Sequence, residues 1–146
     1  MQIALRWVLL GASALSYILC LPEKSFCVES DCNGWPGWGV LFMGWLEPLA
    51  LPSVGPLVAF AWYANPLVVL AWLFGLACRR KEAIWCAAGA TLLSSAFLCG
   101  NRVDTSEAGV AHEITGYAGG YWLWLASAWL ALSSTLLIPA RKAPDQ

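Results

Sequence analysis

The chain has 146 residues, 60% of them apolar and only 12% charged, with a formal net charge of −1. Soluble domains carry about a quarter charged residues, and one of this size has no core large enough to hide so much apolar surface. The composition excludes an ordinary soluble domain, the charge balance excludes a nucleic-acid binder, which needs a cationic excess, and an all-α integral membrane protein is expected.

A bilayer core about 30 Å thick takes about 20 apolar residues per helix. Four segments of a single membrane domain, 1–146, qualify. The first, 3–21, is apolar except for Arg6, which lies near enough to the helix end to snorkel. No A-x-A-like site follows it, so it reads as an uncleaved anchor. An outer loop, 22–55, comes next. Its first half is polar, with "FCVESDC" at 26–32 and then "NGWPGWG". Its second half, "WGVLFMGWLEPLALP", is too short to span and fits a short interfacial or re-entrant helix. Trp35, Trp38 and Trp45 suit the headgroup level.

The second span, 56–78, is interrupted by Asn65 and Pro66; proline has no N–H, which frees the carbonyl of Trp62. Arg79, Arg80 and Lys81 form a basic turn before the uncharged third span, 83–99. A polar, glycine-rich outer loop, 100–119, carries the only histidine, His112, and leads to the fourth span, 120–138. Small residues in spans one, three and four allow close helix packing. They serve a bundle within one subunit; a homo-oligomer is the alternative use.

With both termini and the 79–81 turn in the cytoplasm, Arg6, Arg79, Arg80, Lys81, Arg141 and Lys142 lie inside, and only Lys24 and Arg102 lie outside. That distribution obeys the positive-inside rule. It predicts a multi-pass membrane protein with both termini in the cytoplasm.

The outer side then holds Cys20, Cys27, Cys32 and Cys99, in a compartment where disulfides persist. Cys27–Cys32 is the local pairing, and Cys20 with Cys99 would pin the first span to the third. Four helices with outer cysteines are similar to the disulfide-generating membrane oxidoreductases. Those enzymes use C-x-x-C and a second relay pair, whereas this chain has C-x4-C and one cysteine at the second loop. Glu29 and Asp31 also disfavour the thiolate a reactive cysteine needs. The bridge reads as a clasp.

No metal and no cofactor is expected: zinc would need ligands from two separate loops without a short-spaced histidine pair. His112 and Glu113 form a potential proton-handling pair that an exposed loop would simply solvate. Asn65 is the most polar residue within a span, and an isolated Asn-Pro break more often bonds a neighbouring helix than lines a pore.

Three stretches, "WPGWGVLFMGW" (35–45), "FAWYANPLVVLAWL" (60–73) and "GYWLWLAS" (120–127), together resemble a set of small four-helix bacterial inner-membrane proteins that are themselves uncharacterised. The resemblance covers most of the chain, implies four spans and carries no activity across. The leading expectation is a non-catalytic protein that contacts the lipid bilayer and binds a protein partner at its outer face. That partner is a membrane complex or a toxin, the latter making this an immunity-type protein. Trp35, Trp38, Glu47, Asp104, Glu107, His112 and Glu113 are the candidate contacts. The rivals are a thiol–disulfide oxidoreductase and a small-solute channel or carrier.

Overall fold

The computed structural model describes residues 2–28, 32, 35–50, 56–104 and 111–139, with the backbone alone for Glu47, Leu49, Ala50, Asp104 and Ala111. Glu29, Asp31, Glu107, Arg141 and Lys142, named above, lie outside the described residues. The chain is mostly helical. Helix α1 spans Gln2–Cys20, and a short helix α2, Gly37–Met43, continues as a 3-10 turn through Ala50. Helix α3 (Pro56–Ala59), a 3-10 turn (Ala61–Tyr63) and helix α4 (Ala64–Leu76) make one column. Helix α5 (Arg80–Ala96) ends in a 3-10 turn at Cys99, and α6 covers Gly119–Leu136. Gln2–Cys20, Pro56–Leu76 and Arg80–Cys99 are long and apolar enough to cross a membrane. Helix α6 is only one residue shorter than α1 but contains three tryptophans and three serines, which dilute its apolar character.

Side-chain size decides how these helices pack. Helix α5 buries Ala83, Ala87, Ala90, Thr91 and Ser94; α6 buries Ser127, Ala128, Ala131, Ser134 and Thr135. Both sets recur every three or four residues, so each forms one face of a helix. Among the described residues, the largest fully buried side chains are Val68, Thr135, Ser13, Ser94 and Ser127. The bulky apolar residues point the other way, with Trp85 78% and Leu92 71% exposed. Water-soluble proteins do the reverse. Helix α6 lies against α1, α4 and α5, and its small face lets them come close.

Hydroxyls hold these contacts by donating to carbonyls across helices. Ser13 Oγ donates to Ser127 O at 2.8 Å, Ser16 Oγ to Leu123 O at 2.9 Å, and Tyr121 OH to Ser94 O at 2.9 Å. Trp72 Nε1 donates to Ser13 Oγ at 2.9 Å and extends the chain to α4.

The helical fold also carries one small sheet. Strands β1 (Phe26–Val28), β2 (Arg102–Asp104) and β3 (Ala111–Tyr117) form an antiparallel sheet in the order β1-β3-β2. Phe26 pairs with Tyr117, Cys27 with Gly116 and, after a bulge, Val28 with Ile114. Thus the two segments expected to be separate loops share one sheet. Its underside meets the helix ends in a cluster of Phe26, Val58, Phe97, Val103 and Tyr121. Phe97 and Tyr121 stack with centroids 5.6 Å apart, and Tyr117 and Tyr121 with centroids 4.6 Å apart.

One correction concerns Arg6, which is only 5% exposed rather than snorkelled. Its Nη2 donates to the carbonyl of Gly75, its Nη1 lies 3.8 Å from Cys78 Sγ, and the guanidinium sits 4.7 Å from the Trp7 ring centroid. The end of α4 explains the attraction. Cys78 adopts a left-handed φ of 54°, Cys78 N–H donates to Gly75 O, and Arg79 N–H donates to Phe74 O. This is a Schellman ending with cysteine where glycine is usual. Arg6 brings a positive charge to the negative end of the helix.

Candidate functional site

The sheet, the bridge and α2 form a cap over one end of the bundle. Its geometry starts at the end of α1. The Glu23 carbonyl accepts from Gly37 N–H at 2.9 Å and the Leu21 carbonyl from Trp38 N–H at 2.9 Å, so α2 begins where α1 stops. A Cβ on Gly37 would run into the Cys20 carbonyl, which is why glycine opens this helix. At the far end, Trp62 Nε1 donates to Leu41 O at 2.8 Å and ties α2 to the residues just before α4. The sheet is tied to α6 in the same manner. Lys24 O accepts from Gly120 N–H at 2.9 Å and Ser25 O from Ala118 N–H at 3.2 Å. Gly120 permits that approach, because a Cβ there would sit 2.7 Å from Lys24 O.

Cys27 and Cys32 are joined in a disulfide. Cys20 and Cys99 are free, which overturns the alternative of a bridge between the first and third spans. The helices explain the failure. Helix α1 packs chiefly on α6, the Cys20 thiol is buried and donates to Tyr17 O at 3.0 Å, and the Cys99 thiol is exposed. Cys20 and Cys99 therefore do not form the second pair that a relay would use.

The partner-binding candidates separate into two patches. Trp35, with its carbonyl accepting from Ser25 N–H, and the exposed Trp38 flank an open apolar groove of about 330 Å³ beside α2. Lys24, Pro36, Phe42 and Met43 complete the lining. Asp104, His112 and Glu113 belong to the sheet. Glu113 stands opposite Arg102 and His112 opposite Val103. Side chains alternate along a strand, so half-buried His112 shares a face with Ile114 while exposed Glu113 points the other way. They are not a proton-handling pair, and His112 is not simply solvated. Glu47 lies in the 3-10 turn after α2, described by its backbone alone.

Asn65 is the polar centre of the bundle. Its Oδ1 accepts from Tyr17 OH at 2.9 Å and from Trp124 Nε1 at 2.8 Å, drawing α1 and α6 onto α4. Its Nδ2 donates at 3.0 Å to Trp62 O, the carbonyl that Pro66 leaves without an N–H donor. Pro66 itself sits in the first turn of α4, where a missing N–H costs nothing. The amide is engaged on both its oxygen and its nitrogen, as a bundle linchpin would be. Among the described residues, no three His, Cys, Asp or Glu side chains come together as metal ligands.

Sequence reasoning missed Tyr117, which stitches the cap to the bundle. Its hydroxyl donates to Phe97 O at 3.1 Å and contacts Gly100 O at 3.4 Å. Burial, and then the nearby Cys99 thiol, raise its pKa above the ordinary tyrosine range, so it stays a neutral donor. The only signal was its place in "HEITGY", an alternating run too short to mark a strand. No family model, curated protein or solved structure matches the chain.

Proposed function

We propose that this chain is a small, non-catalytic protein of the bacterial cytoplasmic membrane that binds a protein partner through its outer cap. In this reading α1, the α3–α4 column, α5 and α6 are the four spans, both termini lie in the cytoplasm, and the sheet faces outward. The inside-out distribution of side chains, small hydroxyl residues within and tryptophan and leucine without, supports membrane insertion. The positive-inside rule supports the orientation, and the resemblance of residues 35–45, 60–73 and 120–127 to four-helix bacterial membrane proteins agrees with both.

The observation that carries the binding role is the cap itself. Two segments about 90 residues of sequence apart are knit into one sheet, clasped by Cys27–Cys32 and seated on an aromatic cluster. Loops that only connect helices need no such platform. Exposed Glu113, on the sheet face it shares with Arg102, marks the side such a partner would meet.

Two exposed free thiols, Cys78 and Cys99, provide the test of orientation. A membrane-impermeant maleimide applied to intact cells should label Cys99, and should reach Cys78 only after permeabilisation. The opposite pattern would invert the topology. The partner should copurify after mild detergent extraction, and Glu113→Lys should release it while the disulfide and the folded state persist. Retention of the partner by that variant would remove the sheet from the interface.

A further inference from the structure

We infer that the groove beside α2 is a binding site for an anionic phospholipid of the outer leaflet. The inference rests on the membrane reading above and assigns Trp35 and Trp38 to lipid, leaving the protein partner to the sheet.

Depth is the first argument. Helix α2 is pinned at one end to the close of α1 (Trp38 N–H to Leu21 O) and at the other to the residue column entering α4 (Trp62 Nε1 to Leu41 O). It therefore lies across the outer ends of two long helices, at the level where hydrocarbon gives way to headgroups. The exposed side chains suit that level. Trp38 and Phe42, one turn apart, are 56% and 65% exposed, and Met43, Trp45 and Leu46 continue the apolar surface. Indole rings favour the interface, and fully apolar side chains favour the acyl region beneath it.

Charge is the second argument. Lys24 is the only charged side chain in the groove lining, and among the described residues no carboxylate lies within ion-pair distance of it. Its backbone is fixed on two sides, by the Gly120 N–H bond and by a bridge to Pro36, so its ammonium issues from a defined place on the rim. A phosphodiester supplies this ammonium with an anionic partner. Its glycerol then lies along Trp35 and Trp38, and one acyl chain along Phe42 and Met43.

Size is the third. A groove of about 330 Å³ is at the small end of small-molecule sites. A stable protein partner buries about 800 Å² on each side, far more than this cleft presents.

The test uses the full chain reconstituted in nanodiscs containing equal parts phosphatidylglycerol and phosphatidylcholine, with the lipids retained after detergent exchange counted by native mass spectrometry. One basic residue at a membrane surface supplies a preference of about fivefold. The wild-type protein should keep phosphatidylglycerol over phosphatidylcholine by that ratio. Lys24→Gln should abolish the preference, Lys24→Arg should preserve it, and Trp38→Ala should reduce retention of both lipids. Lys81→Gln, at the opposite end of the bundle, should change nothing. Equal retention of the two lipids by the wild type, or an unchanged preference in Lys24→Gln, overturns the site. Release of the protein from membranes by alkaline carbonate without detergent would instead overturn the membrane reading on which it rests.

Discussion

The bundle and the cap are held together by different means. In the bundle, small side chains let backbones approach, and several buried polar groups reach a carbonyl or side chain on a neighbouring helix, as Ser13, Thr91, Tyr121 and Asn65 do. In the cap, the adhesive parts are backbone pairing, one disulfide and stacked aromatic rings. The difference follows from the surroundings. In the proposed membrane setting, lipid gives a helix no hydrophobic reason to leave it, so packing and hydrogen bonds must hold the bundle. Above the membrane, in the same reading, water restores the hydrophobic drive and an aromatic cluster regains its value.

The comparison breaks first at the seam. Gly120→Val would drive side-chain atoms into the Lys24 and Glu23 carbonyls, and should cost about 3 kcal/mol. Hydrogen exchange should show the β1 and β3 amides losing protection while α4 and α5 keep theirs; uniform loss would mean the two regions unfold as one. Asn65→Leu acts on the bundle instead. It strands the Tyr17 hydroxyl, the Trp124 indole and the Trp62 carbonyl, and should cost about 2 to 3 kcal/mol in a detergent unfolding titration.

Smaller changes sharpen the contrast. Cys27→Ser should destabilise by ~2 kcal/mol, the value expected for closing so short a loop. Its effect should be confined to the cap, with helical circular dichroism unchanged at temperatures where the sheet loosens. The least effect concerns alkaline pH. Tyr117 donates only as a neutral phenol, and its pKa in the fold is raised above the free value of about 10. Its contribution is complete below that pH and is lost as the pH rises beyond it. Tyr117→Phe should therefore flatten the alkaline arm of cap stability and leave the neutral region little changed in slope.

Much of the bundle was legible in the sequence. Long apolar runs give helices within a few residues of 3–21, 83–99 and 120–138, because every backbone group in a helix finds its partner locally. The second segment was legible in extent, while the break fell at Phe60–Tyr63, ahead of the Asn65-Pro66 pair that announced it. The Cys27–Cys32 bridge was also legible, since five residues of separation leave little freedom. The sheet was not. Strands of three and seven residues carry a weak alternating signal, and pairing Phe26 with Tyr117 joins residues that no local pattern relates. Arg6 misled for the same reason: a lone cation near a helix start points equally to snorkelling and to a partner on another helix.

The sequence by itself determined which segments are helical and apolar and where the clasp forms. Each follows from local chemistry: hydropathy over some twenty residues, or two cysteines within reach of each other. Tertiary structure alone decided that β1, β2 and β3 share one sheet, that Arg6 closes α4, that Asn65 gathers three helices and that a groove with a single lysine opens beside α2. Those depend on which distant backbones come within hydrogen-bonding distance, and small residues such as Gly37 and Gly120 permit that approach without announcing what will arrive.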